Sequence, residues 1–172
     1  MNLASQSLLQ EVGAVDPLEL RRTFGSFATG VTVVTMRDRH GHRVGMTANS
    51  FSSLSLDPPL LLWSVARKSP SFDHFAQASH FAINVLAADQ QHLSKQFSTP
   101  AEDKFADIGC DEGLGGVPLL PGVIARFECE TAHRYEGGDH LIIVGRVERC
   151  ARFQGDPLVF HAGAYRETVP NS

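Results

Sequence analysis

Short apolar segments recur along the chain, and turn-forming residues separate them. The clearest lie at residues 31–36, 60–65, 81–86 and 140–147. Their length and their content of Val, Ile and aromatic residues are typical of β-strands, whereas a helix needs a longer stretch with a period near 3.6 residues. Because no strand–helix–strand alternation runs through the chain, the pattern predicts about six to eight antiparallel strands. The expected fold class is mainly β with flanking helices.

Turn signals predict two hairpins within this arrangement. The charged turn at residues 37–42 separates the strand at 31–36 from a second strand near 44–47. Glu136-Gly137-Gly138-Asp139 separates an alternating segment, residues 122–135, from the apolar strand at 140–147. In the alternating segment, Ala125, Phe127 and Cys129 are expected on the buried face, with Arg126, Glu128 and Glu130 on the solvent face. A last short strand is expected at residues 157–162.

Three helices are expected between the strands. Asp16 and Pro17 are typical of a helix start, and Leu20, Phe24 and Phe27 then form one apolar face. Ser69-Pro70 starts a second helix that ends near residue 80, and Asp89 caps a third that ends near residue 97. Residues 99–121 are rich in Gly and Pro and are expected to form a long loop, which in compact domains is often a lid or a partner surface.

Composition limits the classes of protein that fit. The net charge of −4 gives no basic surface for nucleic acid or an anionic membrane. No apolar run approaches the roughly 20 residues of a membrane helix, and residues 1–10 lack the pattern of a signal peptide. Cys110, Cys129 and Cys150 are widely spaced and odd in number, which favours reduced thiols in a cytoplasmic protein. Residues 1–15 are expected to be a tail or an arm, and residues 16–172 a single domain.

One polar stretch suggests a ligand site. Uncharged hydrogen-bonding side chains crowd it at Thr47, Asn49, Ser50, Ser52, Ser53 and Ser55. Asp57-Pro58-Pro59 then favours an extended exit into the strand at residues 60–66, and Arg67-Lys68-Ser69-Pro70-Ser71 places cations and hydroxyls at a helix start. The order predicts a phosphorylated cofactor lying across a sheet. The residues alone are equally typical of a Ser/Thr-rich loop followed by a solvated basic turn.

The stretch GMTANSFSSLSLDPPLLLWSVARKSPS resembles the flavin-binding segment of the short-chain flavin reductases, which serve two-component flavin-dependent monooxygenases. The resemblance continues in residues 81–86, in Lys104-Phe105, in residues 138–147 and in residues 157–161. It implies a split antiparallel β-barrel of the FMN-binding type and a homodimer. It also implies hydride transfer from NADH or NADPH to FMN or FAD, with reduced flavin passing to a separate monooxygenase.

The resemblance also assigns candidate site residues. It implies cofactor contacts at Thr47, Ala48, Asn49, Ser50, Ser64, Val65, Ala66, Arg67, Lys68, Ser69, Ser71, Asn84, Lys104 and Tyr165. It places His140 against the nicotinamide or the outer flavin face, where it would position the ring or relay a proton. Without the resemblance, a histidine at a strand start is more often structural. Trp63 is expected to fill the core.

Other function classes lack their sequence features. No GxGxxG opens a helix after a strand, and neither HExxH nor GxSxG is present, so a Rossmann nucleotide site, a metal site and a serine hydrolase are not expected. Hydride transfer needs few acid, base or nucleophilic residues in the protein, because the cofactor carries out the chemical step. The alternatives are a non-catalytic flavin-binding electron carrier on the same barrel and a pyridoxal-phosphate-type oxidase. The latter lacks its basic phosphate clamps here.

Overall fold

The computed structural model describes residues 15–168, which form mostly β-structure. The strands in this range are β1 (Thr29–Gly30), β2 (Thr32–Arg37), β3 (Arg43–Ala48), β4 (Ser52–Leu56), β5 (Pro59–Ala66), β6 (His80–Val85), β7 (Asp111–Glu112), β8 (Pro118–Leu119), β9 (Ala125–Gly137), β10 (His140–Arg152), β11 (Val159–His161) and β12 (Ala164–Arg166). The helices are α1 (Pro17–Gly25), α2 (Phe72–Gln77) and α3 (Gln91–Ser98), with short 3-10 helices at Ala88–Gln90 and Leu114–Gly116. The predicted tail at residues 1–15 lies outside the described residues, apart from Val15.

Seven strands form the main sheet in the order β3-β2-β6-β9-β10-β5-β4, and each neighbouring pair is antiparallel. Strands β3 and β4 are the two edge strands of this sheet. They do not pair with each other within residues 15–168, so the barrel is split between them. Strands β1, β11 and β12 form a separate three-stranded sheet. The predicted split antiparallel barrel is confirmed.

Aromatic side chains fill the two main parts of the core. Trp63 on β5 is fully buried, as predicted, and meets Phe75 of α2 edge to face at 5.0 Å between ring centroids. Phe81 of β6 completes this cluster. On the other side of the sheet, Phe97 of α3 meets Phe105 edge to face at 4.9 Å. Edge-to-face contacts of this kind stabilise a core beyond the apolar area that they bury.

Both predicted hairpins are present. Strand β2 pairs with β3 across the charged turn, and β9 pairs with β10. Gly138, in the turn between β9 and β10, has a φ of 69°. Glycine adopts this left-handed conformation without the steric cost that a side chain would bring. The turn sets His140 opposite Gly137 at the start of β10.

The polar stretch after β3 is more regular than the sequence predicted. Residues 52–56 form strand β4, which pairs with β5 at one edge of the main sheet. The serines that suggested a ligand loop therefore supply backbone hydrogen bonds to a neighbouring strand. Leu54 and Leu56 remain exposed on this edge, at 50% and 96%.

The second and third helices differ from their predicted bounds. Helix α2 begins at Phe72 and ends at Gln77, because His80 already belongs to β6. Asp89 lies inside a 3-10 helix rather than capping α3, which begins at Gln91. The 3-10 turn is closed by the Gln90 side chain, whose Oε1 accepts from the Ala87 N–H at 3.1 Å. Residues 99–121 are less irregular than predicted, since β7 and β8 pair within them.

Strand β9 departs from the predicted alternation at Glu128, and from Ala132 onward it is exposed on both faces. Glu128 was expected on the solvent face, but it is 8% exposed. Its Oε2 accepts a hydrogen bond from the Leu114 N–H at 2.7 Å. A buried carboxylate needs such a partner, and a loop amide from a distant part of the chain cannot be read from the local pattern.

Helix α1 is capped as predicted, but its apolar face is not buried. Asp16 accepts from the Leu18 N–H at 3.2 Å. Phe24 and Phe27 are 69% and 78% exposed within the described part of the molecule. From Val15 to the last described residue, the helices are too short or too polar to cross a membrane.

Candidate active site

Two of the segments predicted to bind the cofactor run side by side. They are residues 47–50, which include the end of β3, and residues 64–71, which run from the end of β5 to the residue before α2. At one end, the Ser50 hydroxyl donates to the Ser64 carbonyl at 3.1 Å and accepts from the Ser64 N–H at 3.0 Å. At the other end, Thr47, Ser69 and Ser71 line one cavity. The fold therefore brings the two segments together at both ends, and residues 47–50 with residues 64–71 are called the polar groove below.

The cavity at the end of this groove has a volume of about 300 Å³. It lies between β3, the start of α2 and the end of α3. Its lining residues are Met46, Thr47, Ser69, Pro70, Ser71, Phe97, Ser98, Pro100, Ala101 and Lys104. Helix α3 can pack closely on β3 because Gly45 has no side chain: a Cβ there would lie 2.6 Å from the Phe97 ring.

Lys104 supplies the positive charge among the described residues that line the cavity. Its Nζ donates to the Phe97 carbonyl at 2.8 Å, which leaves two N–H groups for a ligand. Burial lowers the pKa of this amine from its usual 10.5. The Ser69 hydroxyl accepts from the Ser71 N–H at 3.3 Å and keeps its own hydrogen to donate. This combination of an amine and hydroxyl donors suits an anion.

A hydrogen bond to α3 fixes the side chain of Thr47. Its hydroxyl donates to the Ser94 carbonyl at 2.6 Å. The Ser94 hydroxyl in turn bonds the Tyr165 hydroxyl at 2.8 Å, and Tyr165 packs edge to face against Phe160. Tyr165 does not line the cavity. It ties the C-terminal strands to the helix that supports Thr47, and its cofactor contact stays a prediction.

His140 lies at the start of β10, opposite Ala66. Its Nδ1 is 2.7 Å from Asp139 Oδ1, and this hydrogen bond lowers the pKa of the Asp139 carboxyl. Ionised Asp139 can only accept, so Nδ1 carries the proton and Nε2 is the ring nitrogen left for a ligand. The Asp139 carbonyl also accepts from the Arg67 N–H at 2.9 Å, which joins this turn to residues 64–71.

Arg67 and Lys68 do not line the cavity. The Arg67 guanidinium pairs with Glu136 near the tip of the β9–β10 hairpin and lies 5.5 Å from the centroid of the Phe72 ring. Lys68 is exposed. The cation at the cavity is therefore Lys104, whereas the sequence pattern alone pointed to the adjacent pair Arg67-Lys68.

Asn84, which was predicted to contact the cofactor, has its side-chain amide bonded within the protein. Its side chain is fully buried in β6, where Nδ2 donates to the Val33 carbonyl and to Thr35 Oγ1, both at 3.0 Å. Its Oδ1 accepts from the Leu120 N–H at 3.0 Å. The amide thus joins β2, β6 and the following loop, and a buried amide needs those partners.

Other predicted residues occupy the walls of the groove. Ala48 and Val65 are buried, so they can meet a ligand through the backbone at most. Asn49 is exposed and donates to Thr29 Oγ1 at 3.3 Å, and Ala66 is half-buried.

Several lining residues were not predicted from the sequence. Ser98, Pro100 and Ala101 come from the end of α3 and the turn after it. The only sequence signal was a run of small and polar residues before Pro100, which marks a helix end and gives no indication of a ligand.

Two larger cavities lie elsewhere and contain none of the predicted site residues. One, of about 540 Å³, borders the side of α3 near His92. The other, of about 470 Å³, borders the β2–β3 turn near Asp38. Desolvation opposes ionisation of Asp38, but the backbone N–H groups of His42 and His40 and the His42 side chain outweigh it and lower its pKa to about 2. Asp38 is thus a structural acceptor that orders the turn.

Comparison with known proteins identifies the family to which the chain belongs. Residues 24–168 match the flavin reductase like domain. The chain belongs to this family. It is 48% identical over 153 residues to an FMN reductase (NADH) of Agrobacterium fabrum, with 89% of this chain and 87% of that relative covered.

Two further proteins that are similar to this flavin reductase-like chain differ in length. The reductase component of a flavin-dependent trigonelline monooxygenase from Acinetobacter baylyi is 47% identical, and the match covers 91% of this chain but 51% of that relative. An NADH:FAD oxidoreductase of Streptomyces globisporus, solved in complex with NAD and FAD fragments, superposes with a TM-score of 0.86 at 38% identity. That match covers 93% of this chain and 99% of the solved one.

Proposed function

We propose that the protein is an NADH-dependent flavin reductase that reduces FMN or FAD and supplies reduced flavin to a separate monooxygenase. The observation that carries this proposal is the polar groove between residues 47–50 and 64–71, which ends in the cavity with Lys104. Relatives named as NADH-dependent flavin reductases and as monooxygenase reductase components support it. NADPH remains a second candidate donor, because no described residue distinguishes the two.

The residues of the groove fit a phosphorylated flavin. Lys104, Ser69 and Ser71 would hold the phosphate, since they combine a cation with hydroxyl donors. Thr47 and Ser50, whose hydroxyl hydrogens go to the carbonyls of Ser94 and Ser64, would accept hydrogen bonds from the polar chain or the ring edge, and the Ser64 hydroxyl would supply an uncharged donor. A bound flavin would supply the hydride acceptor, and the nicotinamide nucleotide the donor. The protein's part is to hold the two rings together and keep water away.

His140 would meet the nicotinamide or the open flavin face through Nε2. Its place beside Ala66 puts it at the same end of β5 as Ser64, and Asp139 fixes its Nδ1 proton. A ring nitrogen held this way can position a carboxamide or exchange a proton with solvent. The hydride itself would pass from the nicotinamide to the flavin.

A homodimer is part of the same proposal. Leu18 and Phe24 of α1, with Phe27 just after it, expose an apolar surface of the kind that marks protein interfaces, and a second copy of the chain would cover it. The thiols of Cys110, Cys129 and Cys150 are unpaired, which supports the proposed cytoplasmic location.

Parallel assays of NADH and NADPH oxidation against riboflavin, FMN and FAD test the proposal. We expect NADH oxidation that depends on added flavin, because the protein contributes binding and the flavin accepts the hydride. If no flavin supports NADH oxidation by folded protein, the proposal is wrong. A preparation that retains flavin through purification but consumes no NADH would favour the electron carrier instead.

A further inference from the structure

The tip of the β9–β10 hairpin carries two carboxylates that face the cations after β5. Glu136 pairs with the Arg67 guanidinium, and Asp139 lies close enough to Lys68 for its charge to contribute to the lowered pKa of Asp139. The backbone holds the two segments in place, because the Arg67 N–H donates to the Asp139 carbonyl at 2.9 Å. Arg67, one of the two cations that the sequence suggested for a phosphate, thus has an acidic partner within the protein.

Arg67 lies in the turn that leads to the candidate cavity. The Ser69 N–H donates to the Ala66 carbonyl at 2.9 Å and closes this turn, and Ser69 lines the cavity. The Arg67 guanidinium is 5.5 Å from the centroid of the ring of Phe72, the first residue of α2. For the guanidinium to leave Glu136 and reach a ligand at Ser69 and Ser71, the Arg67 side chain would change its rotamer.

The ion pair between Arg67 and Glu136 is also weak enough for another anion to replace Glu136. The two side chains are 43% and 73% exposed, so water screens their attraction. A phosphate carries more charge than a carboxylate and suits the bidentate geometry of a guanidinium. An anionic ligand can therefore compete with Glu136 for Arg67, whereas a neutral ligand has no charge that attracts the guanidinium.

From this geometry we propose that Glu136 competes with the flavin phosphate for Arg67 and so sets the preference for phosphorylated over unphosphorylated flavins. The inference rests on the proposed function, because it names a residue that tunes the same site. Glu136 acts through Arg67 and is a specificity-determining residue, not a catalytic one. Removal of its charge should strengthen binding of FMN and leave binding of riboflavin unchanged.

The substitution Glu136→Gln tests this directly. Titration with FMN and with riboflavin, followed by flavin fluorescence, gives two dissociation constants for each variant. We expect Glu136→Gln to tighten FMN binding by about two- to fivefold, the range for loss of an exposed ion pair, with no change for riboflavin. Equal changes for both flavins, or none for FMN, would contradict the inference.

Two further variants separate exchange at Arg67 from a general effect of charge. Glu148→Gln removes a carboxylate from a similar exposed pair, with Arg146 at 2.6 Å farther along β10, and should leave both dissociation constants unchanged. In an Arg67→Gln background, Glu136→Gln should have no effect on FMN, since the contested cation is gone. A persisting gain would overturn the inference. If the wild-type protein bound neither flavin, the proposed function would fail instead.

Discussion

At the scale of single residues, Lys104 is the side chain on which phosphate binding should depend most. Its amine is partly buried at the cavity, and burial strengthens a charge-assisted hydrogen bond. Such bonds contribute about 1.5–3 kcal/mol. We therefore expect Lys104→Met to weaken FMN binding about tenfold or more, with little change for riboflavin, as measured by fluorescence titration.

Lys95→Met is the matched control for this substitution. Lys95 lies on α3 but is exposed, and it does not line the cavity. The Lys95→Met substitution should leave the affinities for FMN and riboflavin unchanged. An equal loss of both flavins in Lys104→Met would mean that the lysine supports the fold of the cavity and does not contact the phosphate.

The sequence predicted which residue types form the site better than it predicted their individual partners. Thr47, Ser69, Ser71 and Lys104 do share one cavity. Asn84, by contrast, looks equally suitable in the sequence, yet its amide is fully used by Val33, Thr35 and Leu120. A side chain's partners depend on strand pairing between distant segments, and a local pattern holds no information about them.

At the scale of elements, the packing of α3 on β3 shapes the cavity. Gly45 lies directly beneath the Phe97 ring, and an added Cβ would be 2.6 Å from it and 3.0 Å from Phe105. Overpacking of this kind costs about 1–3 kcal/mol. We expect Gly45→Ala to lower the denaturant midpoint and to weaken FMN binding, because α3 must move away from β3 and carries the cavity wall with it.

Gly30→Ala provides the comparison, since a Cβ on that glycine of β1 would meet no atom within 4 Å. It should leave both the denaturant midpoint and the FMN affinity close to those of the wild type. If Gly45→Ala lowered stability but left FMN binding intact, the position of α3 would not define the site.

Elements with strong local signals were predicted well, and those that depend on a neighbour were not. The β9–β10 hairpin followed from its glycine turn and its apolar strand. Strand β4 was missed, because residues 52–56 are mostly serine and become a strand through pairing with β5. Helix α2 was predicted too long, since the pattern of Phe72 and Phe75 does not show where the next strand begins.

At the scale of the whole molecule, the exposed face of α1 is the feature that a single copy leaves unexplained. Phe24 and Phe27 are 69% and 78% exposed, although the spacing of apolar residues on α1 is that of a buried helix face. Helix α1 connects to the three-stranded sheet through the Ala162 N–H, which donates to the Gly25 carbonyl at 2.8 Å. This hydrogen bond attaches the C-terminal end of α1 to the sheet, while Phe24 and Phe27 stay exposed and available to a second copy.

The double substitution Phe24→Ser and Phe27→Ser should therefore separate the proposed dimer. Full burial of a Phe side chain contributes about 1.5–3 kcal/mol, so each change should raise the dimer dissociation constant by about tenfold or more. Sedimentation velocity would show a shift to monomer, with the melting curve of each monomer preserved because these side chains add nothing to its core. Phe153→Ser, at an aromatic residue that directly follows β10 and is 47% exposed, should leave the sedimenting mass unchanged. A wild-type protein that sediments as a monomer at all concentrations would exclude the dimer, and the exposed face of α1 would then have to serve another partner.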